Sequence, residues 1–339
     1  MHYLNEIIKI SFIVFFLSIY YMTSYLNKYD YYLPILDGLK ANELKQFKLK
    51  YSRLNKIKLN YHGKCGKILK NGKANNKRDL VMFAYNSSKI KKNLKRALMV
   101  YIVIDSIKRS IPNAKKICFV PKNSFNDFVI KIIKKNDILI IKEKDLLNIH
   151  LVSSRFLYEY KYLKKNINFF DRVIHADLTD IYFFSDVFKT LKPNQLIMNK
   201  ECGENSVFGK KGNFILKHKA VIKWFNESFG VNKTIVNLFK KINPKVINAG
   251  VIMGDAKEYL HFLDIFVKNL DYTKAYKFGY DQMLINVLFY TGVFNKIDIK
   301  FDSCTQRSCF NSKLKLNKKI LKFYFKNGCS PVLIHKLFL

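Results

Sequence analysis

The sequence predicts an α/β fold built on a mainly parallel sheet, and two observations carry that expectation. From Asp79 onward, short apolar runs alternate with helix-length amphipathic segments. The runs are apolar at successive positions, which suits strands covered on both faces.

The elements follow in order. LVMFAYN (80–86) is a buried strand that stops at an Asn-Ser-Ser turn. Lys89 to Ser110 is helical in pattern and ends before Ile111-Pro112-Asn113. KICFVP (116–121) and DILIIKE (137–143) are short buried strands. Ser154 to Asn166 is a helix with an apolar stripe, and Ser153-Ser154 is its expected cap. FDRVIHA (170–176) is a further strand. Residues 189–216 read as loop and short strand. VINAGVIMG (246–254) is a strand with an internal Gly, followed by helices over 257–270 and 279–290. Ser330 to Ile334 is a last apolar piece. No internal repeat is visible.

Residues 1–26 read as a signal anchor. Ile7–Leu26 is long enough to cross a bilayer as a helix, with Lys9 near one end and Tyr20, Tyr21 and Tyr25 near the other. A cleaved signal peptide and a buried helix are the rivals; no small-residue cleavage pair follows the run. Residues 27–78 are Lys-rich and poorly periodic, and read as a basic stem. An anchor at the N-terminus implies a single-pass type II membrane protein with its domain, 79–339, in the lumen of the Golgi or endoplasmic reticulum. There Cys304 and Cys309 are near enough in sequence to close a small disulfide loop. Asn86, Asn226 and Asn232 open N-x-Ser/Thr sequons, which are common by chance in an Asn-rich chain.

The net charge is +36, from 61 Lys and Arg against 25 acids. Such a balance attracts polyanions, including phosphorylated ligands. The lysines are scattered, however, and abundant Lys, Asn, Ile, Phe and Tyr with little Ala is the profile of AT-rich coding. No nucleic-acid motif accompanies the charge, so nucleic acid is not an expected partner.

The chemistry concentrates where strand VIHA runs into Asp177 and Asp180. In open parallel sheets, ligands bind beyond the carboxyl ends of strands. Two carboxylates there offer hard oxygen ligands to Mn²⁺ or Mg²⁺. Taken alone they are equally well turn formers. Asn248-Ala249-Gly250 interrupts an apolar strand with residues that cost strand stability, and a strand Gly often marks a close approach. Asp281-Gln282 opens a helix, where an Asp also simply suits the helix dipole. His335 ends the last apolar run. A lone His is usually structural, but beside two aspartates it is a candidate third ligand.

This order of segments resembles the glycosyltransferases of the GT-A fold, especially family 8 and related eukaryotic nucleotide-diphospho-sugar transferases. The segments are an Asp pair after a strand, N-A-G-V, D-Q-x-x-x-N and a terminal His. The resemblance covers about residues 79–339. It implies a metal-dependent enzyme that moves a sugar from a nucleotide diphosphate sugar, UDP favoured, to a glycan, glycoprotein or glycolipid, with retention of configuration. Asp177, Asp180 and His335 match the cation ligands. Phe83, Ala84, Tyr85 and Asn86 match the nucleoside-holding end of the first strand, and Arg155 matches an Arg near the donor. Asn248, Ala249 and Gly250 match the loop lining the sugar, and Asp281 and Gln282 match the catalytic pair. Two features depart from the family pattern. The acidic motif is D-x-x-D rather than D-x-D, and no Lys-Pro-Trp follows the His, leaving Lys336 to meet the pyrophosphate. The alternative is a catalytically inactive relative that binds a glycan or partner in the secretory pathway.

Overall fold

The protein is described by a computed structural model over residues 57–86, 94–122, 128–144, 149–201, 214–217, 219–302, 304, 307–310, 325 and 327–336. The expected anchor, most of the expected stem and the start of the first helix lie outside them. Among the described residues, no helix is long and apolar enough to cross a membrane.

Ten strands and seven α-helices are described. The strands are β1 (Asp79–Ala84), β2 (Lys115–Pro121), β3 (Leu139–Glu143), β4 (Arg172–Ala176) and β5 (Ile181–Phe183), then β6 (Leu196–Lys200), β7 (Ile247–Asp255), β8 (Ile299–Asp302), β9 (Ser308–Phe310) and β10 (Leu333–His335). The helices are α1 (Leu94–Ser110), α2 (Phe128–Lys135), α3 (Leu151–Asn166) and α4 (Lys219–Phe229), then α5 (Lys233–Ile242), α6 (Ala256–Lys268) and α7 (Tyr280–Tyr290).

Seven strands form a mixed sheet in the order β3-β2-β1-β4-β7-β6-β8. Only β7 runs antiparallel to its neighbours, β4 and β6. β5, β10 and β9 form a second small sheet. The expected α/β class is thus met, with a mostly parallel sheet flanked by helices. Leu80 and Met82 of β1 pack with Phe156 of α3 and Tyr259, Phe262 and Phe266 of α6. Val81 and Phe83 are as fully buried, and alternation turns them to the opposite face. Both faces are covered, so the strands can be apolar throughout. Each such large side chain contributes about 1.5–3 kcal/mol of burial.

Three details differ from the sequence expectations. The cap of α3 is His150, whose Nδ1 accepts from the Val152 N–H at 3.3 Å, so the helix starts earlier and takes Ser153 and Ser154 inside. β5, β8, β9 and the helices α2, α4 and α5 are additional elements. Residues 57–78, expected within a loose stem, are tied to the domain. Cys65 is disulfide-bonded to Cys329 across 264 residues of sequence. Asn60 donates to the Gly328 carbonyl at 2.9 Å, and Tyr61 to the Pro331 carbonyl at 2.8 Å. The Cys304–Cys309 disulfide is present.

Candidate cation site and cavity

Register brings the site together. β4 pairs with β7 so that Ala176 faces Val251, and the Asp177 N–H then donates to the Gly250 carbonyl at 2.9 Å. β10 pairs with β5 so that His335 faces Ile181, the residue after Asp180. His335 Nε2 therefore stands 3.1 Å from Asp177 Oδ2 and 3.4 Å from Asp180 Oδ1. The ligand atoms of the three residues all lie within 4.8 Å of one another.

Gly250 makes this convergence possible. A Cβ on it would meet His335 Cε1 at 2.2 Å and Asp177 Oδ2 at 2.5 Å. The β6–β7 pairing also breaks here. Met198 faces Ile252, whereas Asn199 faces Asn248, so Ala249–Val251 bulge out of that ladder. Bulges of this kind re-aim backbone beside functional sites.

Arg155 of α3 locks the cluster. It is ion-paired with Asp177, donates to Asp281 Oδ2 at 3.1 Å and reaches the Ala249 carbonyl at 3.3 Å. Behind it lies a buried network. His175 Nε2 meets the same Ala249 carbonyl at 3.1 Å, and its Nδ1 meets Glu159, which accepts from the Tyr259 hydroxyl at 2.5 Å. Lys336 Nζ stands 2.5 Å from Asp180 Oδ2 and 3.5 Å from Asp177 Oδ2.

Burial opposes the charge on Asp177, yet Arg155, Lys336 and His335 hold it well below the usual carboxylate range. Asp180 is lowered in the same way: burial works against His335 and Lys336, and the cations prevail. Asp281 is raised, because burial outweighs Arg155.

The residues present fit a hard divalent cation. Two carboxylates and an imidazole converge, and the buried Asp180 Oδ1 has no hydrogen-bond partner. The His335 Nδ1 is likewise unpartnered, so the ring is held from its Nε2 side alone, by Asp177.

A cavity of about 270 Å³ opens beside the cluster. Ala84, Tyr85, Arg155, Asp177 and Lys336 line it, as do Asn248, Ala249, Gly250, Asp281 and Gln282. Phe83 lies in the core instead, fully buried, and Asn86 is not a lining residue. Asp180 and His335 are not lining residues, but their cluster mate Asp177 is. Gln282 is held at both ends: its Oε1 accepts from Asn248 Nδ2 at 3.2 Å and from the Ala249 N–H at 3.3 Å, and its Nε2 donates to Glu201. Asn286, one turn on, clamps α7 to β7 through both the N–H and the carbonyl of Ile247.

Sequence reasoning missed Glu201. It is buried at the end of β6, lines the cavity and accepts from both Gln282 Nε2 and Asn248 Nδ2 at 3.3 Å. Burial pushes its carboxyl up to about 7, against those two hydrogen bonds. A lone Glu before Cys-Gly carries no pattern in sequence; only burial marks it out. Trp224 and Phe278, which also line the cavity, were likewise unmarked.

No protein-family model matches the chain, and no curated protein matches it.

Proposed function

We propose that this domain is a GT-A-type glycosyltransferase that moves a sugar from a nucleotide diphosphate sugar, UDP favoured, to a saccharide-bearing acceptor. One observation carries the reading. Asp177, Asp180 and His335, the last 158 positions from the first, converge beside a cavity that also holds Arg155, Asn248–Gly250, Asp281 and Gln282. The sheet order, with one antiparallel strand beside the acidic motif, supports it further.

Asp177, Asp180 and His335 would hold Mn²⁺ or Mg²⁺, which as a Lewis acid neutralises a departing diphosphate. Lys336 adds a positive charge on the same side, and Arg155 keeps Asp177 and Asp281 in place. Asp281 accepts from sugar hydroxyls and fixes the ring. Gln282 is a poor nucleophile whose amide is already oriented by Asn248 and Ala249. It therefore suits stabilisation of an oxocarbenium-like centre during front-face attack, with retention. The two disulfides suit an oxidising lumen, in line with a type II protein of the Golgi or endoplasmic reticulum.

The test is thermal stability with Mn²⁺ and a panel of UDP, GDP and their sugars, with an Asp177→Asn/Asp180→Asn protein alongside. A stabilisation that needs both metal and one nucleotide, and is absent from the double variant, is expected. A flat response from folded protein would instead favour the inactive, glycan-binding relative.

A further inference from the structure

The cavity is lined by two kinds of group. Some are the carboxylates and cations described above. The others are apolar: Val221 and Trp224 of α4 and Phe278 of the loop before α7. Trp224 is the sole tryptophan of the chain. Its indole lies against Gly279, where a Cβ would stand 2.5 Å from Cδ2; with φ +83 this backbone also favours glycine. Phe278 meets the indole edge-on, at 5.3 Å between centroids and 76°. It packs likewise on His150, at 5.4 Å. Phe278 is nevertheless 55% exposed. An aromatic corner, packed against its neighbours, thus lines the cavity while one of its rings stays partly open, and an apolar lining with a few convergent polar groups suits a ligand.

Polar groups stand beside it. Gly279 is two residues from Asp281 and three from Gln282, and Glu201, also a lining residue, accepts from Gln282 Nε2 at 3.3 Å. A pyranose ring has an apolar C–H face and a rim of hydroxyls. An aromatic wall edged by a carboxylate and an amide matches both. In the proposed donor arrangement the cation cluster takes the diphosphate, and Ala84 and Tyr85 at the end of β1 are left for the nucleoside.

We infer that the Trp224–Phe278 corner is a stacking platform for the acceptor saccharide, with Glu201 accepting from one of its hydroxyls. This rests on the transferase reading, but its test does not.

Because Trp224 is the only indole, tryptophan emission reports on the corner alone. The whole protein would be titrated with methyl β-galactoside, methyl α-glucoside, methyl α-mannoside and diacetylchitobiose. Each titration would be run with and without Mn²⁺ and UDP, beside the thermal measurements. Saturable change in emission with at least one saccharide is expected, weakened about tenfold or more in Phe278→Ala. That variant alters an exposed ring, and its unfolding curve shows whether it is folded. A response to UDP alone, with none to any saccharide, would make the corner a nucleobase wall and overturn the inference. Emission flat throughout, while UDP and Mn²⁺ raise thermal stability, would also overturn it and leave the donor site standing. A saccharide response without any nucleotide effect would uphold the platform and sink the donor reading.

Discussion

Gly250→Ala tests the geometry of the cation cluster directly. The added Cβ would stand 2.2 Å from His335 Cε1, whereas carbon atoms rest at about 3.5 Å or more. Something must move by roughly 1.3 Å to restore that contact. His335 cannot swing into solvent. It is fully buried on β10, paired to β5 and β9, with its ring edge-on to Phe310 at 5.2 Å. Asp177 Oδ2, at 2.5 Å from the new atom, is the other obstacle, and Arg155 holds that residue. Overpacking of this kind costs about 1–3 kcal/mol, or about 2–4 °C in melting temperature per kcal/mol in a domain of this size. The fold survives such a cost, but a ligand displaced by that distance does not bind as before. A loss of at least about tenfold in Mn²⁺ affinity is expected, on the scale seen when supporting contacts to a ligand are lost. Electron paramagnetic resonance of free Mn²⁺ measures this without any assay of transfer. Wild-type Mn²⁺ affinity in a folded Gly250→Ala protein would show that the cluster is not the cation site or that β7 yields freely.

Two further outcomes are expected. Glu201, whose carboxyl burial raises from an ordinary value of 4.5 to about 7, binds a proton more readily in the folded state than in the unfolded one. Its stabilising contribution is present below pH about 4.5 and is lost as pH rises through about 7, up to about 3 kcal/mol in all. Urea unfolding across that window would show a decline in the wild type that Glu201→Gln removes; parallel profiles would refute the assignment. Separately, loss of the Cys65–Cys329 bond should cost about 2–5 kcal/mol. A Cys65→Ser/Cys329→Ser protein should melt lower and lose most of its response to dithiothreitol. If the reductant shifted it as far as the wild type, this tie would not be what secures residues 57–78.

Much of this arrangement was legible along the chain. β1 and β2 hold continuous apolar runs and β4 and β7 largely apolar ones, and their length and β-branched content tell them from helices. Asp177 and His335 stand out as polar residues at the end of an apolar run, Asn248 and Gly250 as polar and minimal residues inside one, and Asp281 as a carboxylate in the first turn of a helix. Other elements were harder. β5 and β9 are three residues each, too short for any period. The α4–α5 pair does carry a readable spacing in Val221, Phe225 and Phe239, which share one small core with Met283. Capping by His150 was hidden by the better-known preference of Ser for that role.

The sequence by itself determined the layer class and the residue types that any site must use, because burial on both sheet faces and the chemistry of carboxylate, imidazole and amide are local properties. Which of those residues meet was decided only by tertiary structure. The antiparallel register of β4 with β7 sets Gly250 beside Asp177, and that of β10 with β5 sets His335 beside Asp180. A shift of one residue in either would turn the side chain to the other face. Glu201 and Trp224 gained their places in the same way. Nothing in their own neighbourhood distinguishes them, and their environment is made by segments distant in the chain.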